Sequence, residues 1–510
     1  MKKIIQIWFM AALLLGGLAG CYDDKGNYDY KDINEMTYTI KASIKDGNEI
    51  AIDSLGNSRC KQSPEDITVV YTPVVTQSMF SGEGNLAYEW RVVKQGEATV
   101  RIDTIKELEL EFPKNTASEY SITFRITDNT TNVSFYKSLR IKTVQPYLNS
   151  WFVLNGEEGE RRLSVVEEPD SLQYVISYDG YGDLGLSNLE ERKVILDANA
   201  LIYSPNIDSD SPVTPELLQI MTKDGIWKMK PNTLTMTRMS TGTELAMVDR
   251  MEGSTESGTT VTVDERGQLY WSTEGKTYEY RPPYEDNYHV DVISQNLGDP
   301  QKVVFWDNNS KRFGWADAGR YGSEDVHIIE VPIEDVDNQE ILWIGPEFGD
   351  DAKDNGSVCM AIGRNKSTQE YTVYHITQDD KNEYVITPQN IGSLRGTPSG
   401  FATAPYAWSG QFFYISGSSV YRFNGTDESI ELYDAGNPIR QIKFRMLSQS
   451  VERENELRVM GLAVEGTDGW ELHQISLTNG GDLEEDKVRV FEGFGPIRDF
   501  CFSFRNSRVE

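Results

Sequence analysis

The chain has 510 residues, more than one ordinary domain needs, so two or three domains are expected. Its 42 glycines, 19 prolines and 11% aromatic residues favour short strands and turns over long helices. The formal net charge of −31 argues against nucleic-acid binding and against adsorption to anionic lipid, and it suits a solvated surface.

The first 20 residues have the layout of a secretory signal peptide. Lys2 and Lys3 precede an apolar run from Ile4 to Leu15, and small or apolar residues continue to Gly20. The run is short for a helix that spans a membrane. Residues 1–20 are therefore predicted to be a cleaved signal peptide.

A cysteine follows this segment directly. Leu18-Ala19-Gly20-Cys21 resembles the lipobox of bacterial lipoproteins. The resemblance implies cleavage before Cys21 and acylation of Cys21, and two or three acyl chains anchor a protein stably. The alternative is an ordinary signal peptide with a chance cysteine.

Asp23 and Asp24 come next and are similar to the surface-export signal of Bacteroidota lipoproteins. The similarity implies a lipid-anchored protein on the outward face of the outer membrane. Residues 21–35 are polar and charged without periodicity, so they are predicted to be a lipidated acidic tether.

Residues 36–145 are predicted to form an antiparallel β-sandwich of immunoglobulin size. The alternating segments are 37–44, 66–75, 86–93, 107–112, 120–128 and 135–144. Trp90 is the expected core anchor. The segments Tyr88-Glu89-Trp90 and 120–128 resemble the middle and late strands of PKD-like domains, which implies aromatic core residues and an Asp128 that ends a strand.

From residue 146 onward the sequence repeats a hydrophobic strand, a tight polar turn and an aromatic-rich strand. One turn residue from each of the seven hairpins is Glu157, Gly225, Gly267, Ser310, Ser367, Gly410 and Glu454. Most steps are 42–44 residues, the length of a four-stranded propeller blade. We expect residues 146–510 to form a seven-bladed β-propeller; a second sandwich is the alternative.

Two steps are longer and contain the stretches 176–216 and 319–357. Both are interpreted as binding-loop insertions, and removal of 319–357 is expected to leave the fold intact. The segment 488–504 is expected to close the ring, with Cys501 as a small buried residue.

No motif indicates catalysis or a metal site. Cys60, Cys359 and Cys501 are far apart, the four histidines are scattered, and the pairing of the cysteines stays open. Residues 206–210 lack the glycine and closing glutamate of a calcium loop. Asp264 and Gly267 lie in a hairpin that resembles NHL propellers and departs from the sialidase Asp-box.

The expected protein therefore has no cofactor, apart from the lipid on Cys21, and no metal. A serine nucleophile elbow of the form Gly-x-Ser-x-Gly does not occur in the sequence. No pair of carboxylates for glycan cleavage stands out among 80 acidic residues.

Aromatic residues in the loops are the candidate ligand contacts, because aromatic faces stack on sugars or hold peptide side chains. The candidates are Tyr178, Tyr181, Tyr284, Tyr288, Tyr321 and Trp408. The alternative is that these rings cap the edges of the blades.

The order of lipobox, acidic tether, PKD-like domain and propeller-like region resembles the PKD-like surface lipoproteins of Bacteroidota. The resemblance implies a non-enzymatic accessory protein of a SusC/SusD-like, TonB-dependent importer that captures an oligopeptide or a glycan. A surface propeller glycan hydrolase or lyase is one alternative, and a structural or adhesive surface protein is another.

Overall fold

The structure is a computed structural model with two compact units. The division places residues 1–60 and 65–144 in the first unit and residues 61–64 and 145–510 in the second. The described residues are 34–45, 47, 49–62, 66–114, 116, 118–144, 147, 149–170, 173–184, 186, 188–204, 217–222, 225–238, 260–263, 266–273, 276–279, 288–294, 302–317, 326–347, 359–379, 383–404, 408, 410–425, 429–445 and 458–503. Cys21, Asp23, Asp24, Tyr284 and Tyr321 lie outside them.

The first unit consists of two antiparallel sheets. The strands of one are β1 (Met36–Ile44), β2 (Glu49–Ile50), β4 (Ile67–Gln77) and β7 (Leu108–Phe112), in the order β2-β1-β4-β7. The strands of the other are β3 (Asn57–Lys61), β5 (Leu86–Lys94), β6 (Val100–Asp103), β8 (Glu119–Asp128) and β9 (Val133–Val144), in the order β3-β9-β8-β5-β6. The predicted sandwich is confirmed, with three short strands that the sequence pattern did not indicate, β2, β3 and β6.

Trp90 anchors the core of this unit, as predicted. Its side chain is fully buried on β5, and its ring centroid lies 4.4 Å from that of Phe124 on β8. Its Nε1 donates to the carbonyl oxygens of Ile105 and Lys106, at 3.1 and 3.2 Å. The indole is therefore buried without leaving its N–H group unsatisfied.

Asp128 ends β8 as a buried acceptor of four hydrogen bonds. Asn85 Nδ2 and the Thr130 amide donate to its Oδ1, at 3.0 and 2.9 Å. Asn34 Nδ2 and Thr131 Oγ1 donate to its Oδ2, at 3.1 and 3.0 Å. Burial alone would raise the pKa of the Asp128 carboxyl, but these bonds outweigh it and hold that pKa well below its usual range.

We predict that Asp128→Asn lowers the melting temperature of the first unit, because an amide nitrogen would face donors that now meet an oxygen. The pKa of Asp128 in the native protein lies below its unfolded value of about 3.9. The ionised carboxylate therefore stabilises the fold above about pH 3.9, and this stabilisation is lost as the pH falls through the native pKa. Calorimetry should show the full difference from wild type at pH 7 and a smaller one below about pH 4. Glu111→Gln, at an exposed site on β7, is the control. A difference that does not change with pH contradicts the account.

The second unit contains seven antiparallel sheets within the described residues, numbered here as blades 1 to 7. Blade 1 consists of β10 (Ser150–Asn155), β11 (Arg162–Asp170), β12 (Gln173–Ser177) and β36 (Ile497–Ser503); blade 2 of β13 (Ala198–Ser204), β14 (Leu217–Thr222), β15 (Gly225–Met229) and β16 (Met236–Arg238); and blade 3 of β17 (Thr260–Val263), β18 (Leu269–Thr273) and β19 (Lys276–Glu279). Blade 4 consists of β20 (Val290–Ile293), β21 (Lys302–Asp307), β22 (Arg312–Asp317) and β23 (Val326–Ile328); and blade 5 of β24 (Gln339–Pro346), β25 (Cys359–Asn365), β26 (Tyr371–Gln378) and β27 (Tyr384–Gly392). Blade 6 consists of β28 (Gly400–Ala402), β29 (Phe412–Ser416), β30 (Ser419–Phe423) and β31 (Ser429–Asp434); and blade 7 of β32 (Ile439–Phe444), β33 (Val459–Glu465), β34 (Trp470–Ser476) and β35 (Arg489–Phe494).

This arrangement is a β-propeller closed by the two ends of the second unit. β36 pairs with β10, so the last strand of the described residues becomes the first strand of blade 1. The first strands of neighbouring blades contact each other in the pairs β13–β36, β20–β24, β28–β32 and β32–β36, which places them around the axis of the ring. The prediction that 488–504 closes the ring is confirmed, and Cys501 is buried on β36.

A buried carboxylate links three blades where the ring closes. Asp499 on β36 accepts the Leu201 amide of β13 at 2.8 Å, and it pairs with Lys443 Nζ of β32. Hydrophobic clusters fill the spaces between adjacent blades, and the cluster between blades 7 and 1 includes Trp151, Phe500 and Phe502. A Cβ on Gly461 of β33 would lie 2.7 Å from the Phe500 ring and 2.9 Å from the Trp151 ring, so only glycine permits this close packing.

Two of the seven predicted turns belong to other connections. Gly410 lies between β28 and β29, and Glu454, outside the described residues, falls between β32 and β33. Both therefore mark the connection from the first to the second strand of a blade. In blades 6 and 7 the hairpins that correspond to the other five predicted turns are at 417–418 and 466–469. The number of predicted blades is unchanged, because each blade still contributes one hairpin.

The interpretation of the two long stretches as insertions is wrong, and so is the expectation that 319–357 can be removed with the fold intact. The stretch 176–216 contains α1 (Gly180–Asp183), α2 (Leu189–Leu196) and β13. Asn188 caps α2 by accepting the amides of Glu190 and Glu191, and the helix packs into the core between blades 1 and 2. The stretch 319–357 contains β23 and β24, so removing it would delete one strand each from blades 4 and 5.

Candidate functional site

The structure places the four described aromatic candidates in different settings. Tyr181 and Tyr288 are buried, where Tyr181 Oη donates to Glu191 Oε2 at 2.6 Å and Tyr288 Oη accepts the Leu269 amide at 3.0 Å. These two rings belong to the core, and their burial does not support the predicted role in ligand binding.

Tyr178 and Trp408 are more accessible, and they lie at opposite ends of the ring. Tyr178 is 44% exposed and follows β12, the last strand of its blade, and its Oη donates to the Glu492 carbonyl at 3.0 Å. Trp408 precedes β29, the second strand of its blade, and its Nε1 donates to the Asn479 carbonyl at 2.9 Å. The predicted aromatic contacts therefore do not form one surface, and a ligand role for these two remains a prediction.

A polar cleft of about 770 Å³ lies between blade 7 and the outer strand of blade 1. It opens at the end of the ring where β32 and β34 end and where β33, β35 and β12 begin. Its charged lining residues are Arg445, Arg458, Lys487, Arg489, Glu484 and Asp486. The volume falls within the range of about 300–1,000 Å³ that is usual for ligand sites. We call it the seam cleft.

The floor of the seam cleft is a fixed chain of polar side chains. Gln474 Oε1 accepts from Trp151 Nε1 at 2.8 Å and from Arg445 Nη2 at 2.7 Å. Gln474 Nε2 donates to Tyr174 Oη at 3.0 Å. The Arg445 guanidinium lies 3.8 Å from the centroid of the Phe502 ring, a cation–π contact. This buried guanidinium is thus oriented by both an amide and an aromatic face.

The wall of the seam cleft is the connection from β34 to β35. Arg458 donates to Asn479 Oδ1, and Lys487 Nζ pairs with Glu484 at 2.9 Å. Arg489 Nη1 donates to the carbonyl oxygens of Asp486 and Val488, both at 2.8 Å. Trp408 supports the same wall through the Asn479 carbonyl.

The charge of the seam cleft is opposite to that of the chain. Four cationic side chains and two acidic ones line it, whereas the whole chain has 49 basic and 80 acidic residues. Such a site attracts and orients an anionic group. The lining residues in the described part of the chain include no histidine or cysteine, and no cluster of three metal-ligating side chains occurs among the described residues.

Sequence reasoning missed this site. Arg445 and Arg489 are 44 positions apart and meet only because β32, β33, β34 and β35 form one sheet. The sequence offers no charge signal for the cleft, because acidic residues outnumber basic ones across residues 439–494 just as they do in the whole chain. Only the strand order brings the four cations together.

A second polar group occupies the matching place in blade 5. Glu347 directly follows β24, as Arg445 follows β32, and His375 is the fifth residue of β26, as Gln474 is of β34. His375 Nδ1 contacts Glu347 Oε2 at 2.8 Å, and its Nε2 contacts Gln389 Oε1 at 3.2 Å. The hydrogen bond with Glu347 raises the pKa of His375 against the opposing effect of burial.

One protein family matches the N-terminal part of the chain. Residues 21–185 match the model of the PKD-like family. The match therefore covers the first unit from residue 21 onward and continues through β10, β11 and β12 of blade 1. No curated protein matches the chain. No helix among the described residues has the length and apolar character needed to cross a membrane.

Several solved structures are similar to the chain at low sequence identity. They include a quinonprotein alcohol dehydrogenase-like protein from Bacteroides thetaiotaomicron, at 10% identity over 91% of this chain and 99% of that one, with a TM-score of 0.40. A gluconolactonase from Xanthomonas campestris matches at 9% identity over 62% and 94%, with a TM-score of 0.32. The WD40 domain of SCAP from fission yeast matches at 10% over 59% and 73%, with a TM-score of 0.32.

We predict that the Glu347–His375 pair gives the propeller a pH-dependent stability. The pKa of His375 in the native protein lies above its unfolded value of about 6.5. The pair therefore stabilises the fold fully below about pH 6.5, and this stabilisation is lost as the pH rises through the native pKa. The melting temperature of wild type should exceed that of Glu347→Gln most at pH 6, and the difference should shrink by pH 9. Glu340→Gln, which breaks a pair with Arg364 in the same blade, should give a difference that does not change over this range. A constant difference for Glu347→Gln contradicts the prediction.

Proposed function

We propose that the protein is a lipid-anchored binding protein on the outward face of the outer membrane, where it captures a ligand for a SusC/SusD-like, TonB-dependent importer without transforming it. The observation that supports ligand capture is the seam cleft, in which Arg445, Gln474 and Tyr174 are held by hydrogen bonds among themselves and with Trp151. A lining fixed before binding lowers the entropic cost of binding.

The anchor supports the surface location. The lipobox-like sequence ends at Cys21, and the first strand begins at Met36. Residues 22–35 would span at most about 50 Å if fully extended, at roughly 3.5 Å per residue. Such a tether lets the folded units reach a transporter in the same membrane.

The arrangement of charges supports binding over catalysis. Glu484, one of the two acidic residues of the seam cleft, is engaged in an ion pair with Lys487 at 2.9 Å. Hydrolysis of a glycosidic bond by the usual route needs two carboxyl groups that flank the bond, one of them serving as the acid. A capture protein needs neither group to exchange a proton.

We predict that Cys21→Ala abolishes lipid attachment and leaves the protein soluble in the periplasm or poorly processed, because the acyl chains are its only proposed membrane contact. Labelled palmitate with membrane fractionation measures this. The double variant Asp23→Ala, Asp24→Ala is the matched control: it should keep the label but lose cleavage by protease added to intact cells. Undiminished lipid label on Cys21→Ala would overturn the anchor.

If the protein captures a ligand for an importer, we predict that the wild-type protein co-purifies with an outer-membrane transporter from detergent extracts. An incubated ligand should be recovered unchanged from the complex. Recovery of a cleaved ligand would instead establish an enzyme, and failure to co-purify would remove the importer from the proposal.

A further inference from the structure

The seam cleft combines a fixed cationic floor with a wall of hydrogen-bonding groups. Arg445 is 2% exposed as a whole residue, so only a small part of it meets solvent. The Phe502 ring at 3.8 Å and Gln474 Oε1 at 2.7 Å determine the plane of its guanidinium. A planar, oriented guanidinium matches the geometry of a carboxylate, which it can bind through two parallel hydrogen bonds.

The other cations approach the same space from different strands. Arg458 directly precedes β33 and Arg489 begins β35, and both line the seam cleft with Arg445. Arg489 is anchored to backbone carbonyl oxygens through Nη1, and Arg458 to the Asn479 side chain. The cationic side chains of the seam cleft are therefore concentrated at one end of the ring.

The rest of the lining suits a ligand rich in hydroxyl groups. Glu484 and Asp486 contribute carboxylates that accept from hydroxyls, and Ser476, Thr478 and Asn479 can both donate and accept. Val459 and Leu477 are the aliphatic members of the lining, so the cleft offers little to the apolar side chains that usually give a peptide its affinity. Tyr174 adds one aromatic ring at the floor.

We propose that the seam cleft binds a short acidic oligosaccharide, with a uronic-acid carboxylate at the arginines and the sugar hydroxyls along the wall formed by residues 476–486. This inference rests on the proposed function as a capture protein and names its ligand class. The cleft volume of about 770 Å³ admits a short oligosaccharide and not a folded polymer chain.

The test uses the chain from residue 22 onward and isothermal titration with three probes. Trigalacturonic acid supplies carboxylates and hydroxyls, its full methyl ester supplies the same sugars without charge, and a triglutamate peptide supplies carboxylates without sugars. We expect trigalacturonic acid to bind, to weaken as sodium chloride is raised, and to bind at least about tenfold more tightly than either of the other probes.

Variants locate the site. Arg458→Gln and Arg489→Gln each remove one cation from the seam cleft and should weaken trigalacturonic acid by about ten- to a hundredfold, the usual effect of losing a charge-assisted hydrogen bond. Arg440→Gln is the matched control, because it removes an exposed cation that pairs with Glu465 in the same blade. It should leave the affinity within about twofold. Each variant must melt within a few degrees of wild type.

Each other outcome overturns the inference. Equal binding of the methyl ester excludes the arginines as the basis of recognition, and tighter binding of triglutamate makes the ligand a peptide. Unchanged affinity in both cleft variants places the ligand elsewhere, and no binding of any probe removes the ligand class. None of these results affects the tests of anchoring and co-purification, so failure of the ligand class is distinguishable from failure of the proposed function.

Discussion

The pairing of β10 with β36 joins residues 150–155 to residues 497–503 and turns seven sheets into a ring. A repeat array without such pairing exposes the edges and apolar faces of its first and last blades. Here Trp151 of β10 packs against Phe500 and Phe502 of β36, with centroids 5.7 and 5.0 Å apart. Asp499 adds a polar link across the same place, because it reaches the first strands of blades 2 and 7.

The candidate site depends on this closure. The ring of Trp151 packs in the core between blades 7 and 1, and its Nε1 donates the hydrogen bond that orients Gln474. Gln474 in turn orients Arg445, whose guanidinium rests on Phe502 of the closing strand. Tyr174, at the far edge of blade 1, completes the floor of the seam cleft through Gln474 Nε2. Ring closure and the proposed ligand site therefore use the same side chains, so a change that opens the ring should also dismantle the site.

The sequence predicts those features that depend on local pattern. Alternation places the strands around Trp90, and the spacing of hairpins predicts seven blades, because both reflect periodicities of neighbouring residues. The pattern does not say which strands of a blade a hairpin joins, so it places Gly410 and Glu454 in the wrong connection. It also does not distinguish an inserted loop from a strand with weak alternation, so it includes β23 and β24 in a predicted insertion.

The seam cleft could not be predicted from local sequence pattern, for a different reason. Its cations come from positions 445, 458, 487 and 489, and the order of strands in blade 7 and its contact with blade 1 bring them together. For two of the aromatic candidates, the sequence pattern indicated a site that the fold does not form. Loop position suggested exposure for Tyr181 and Tyr288, but α1 and α2 pack Tyr181 into the core, and Tyr288 lies in the core between blades 3 and 4.

The most direct test of ring closure is a pair of truncations read by hydrogen–deuterium exchange. A chain ending at Gly495 lacks β36, whereas a chain ending at Ser503 keeps it and loses only residues 504–510. With the shorter chain, we expect the amides of β10 and β13 to lose their protection while β5 and β8 of the first unit keep theirs, and the longer chain to exchange like wild type. Retained protection of β10 without β36 would contradict the claim that this strand pair closes the propeller.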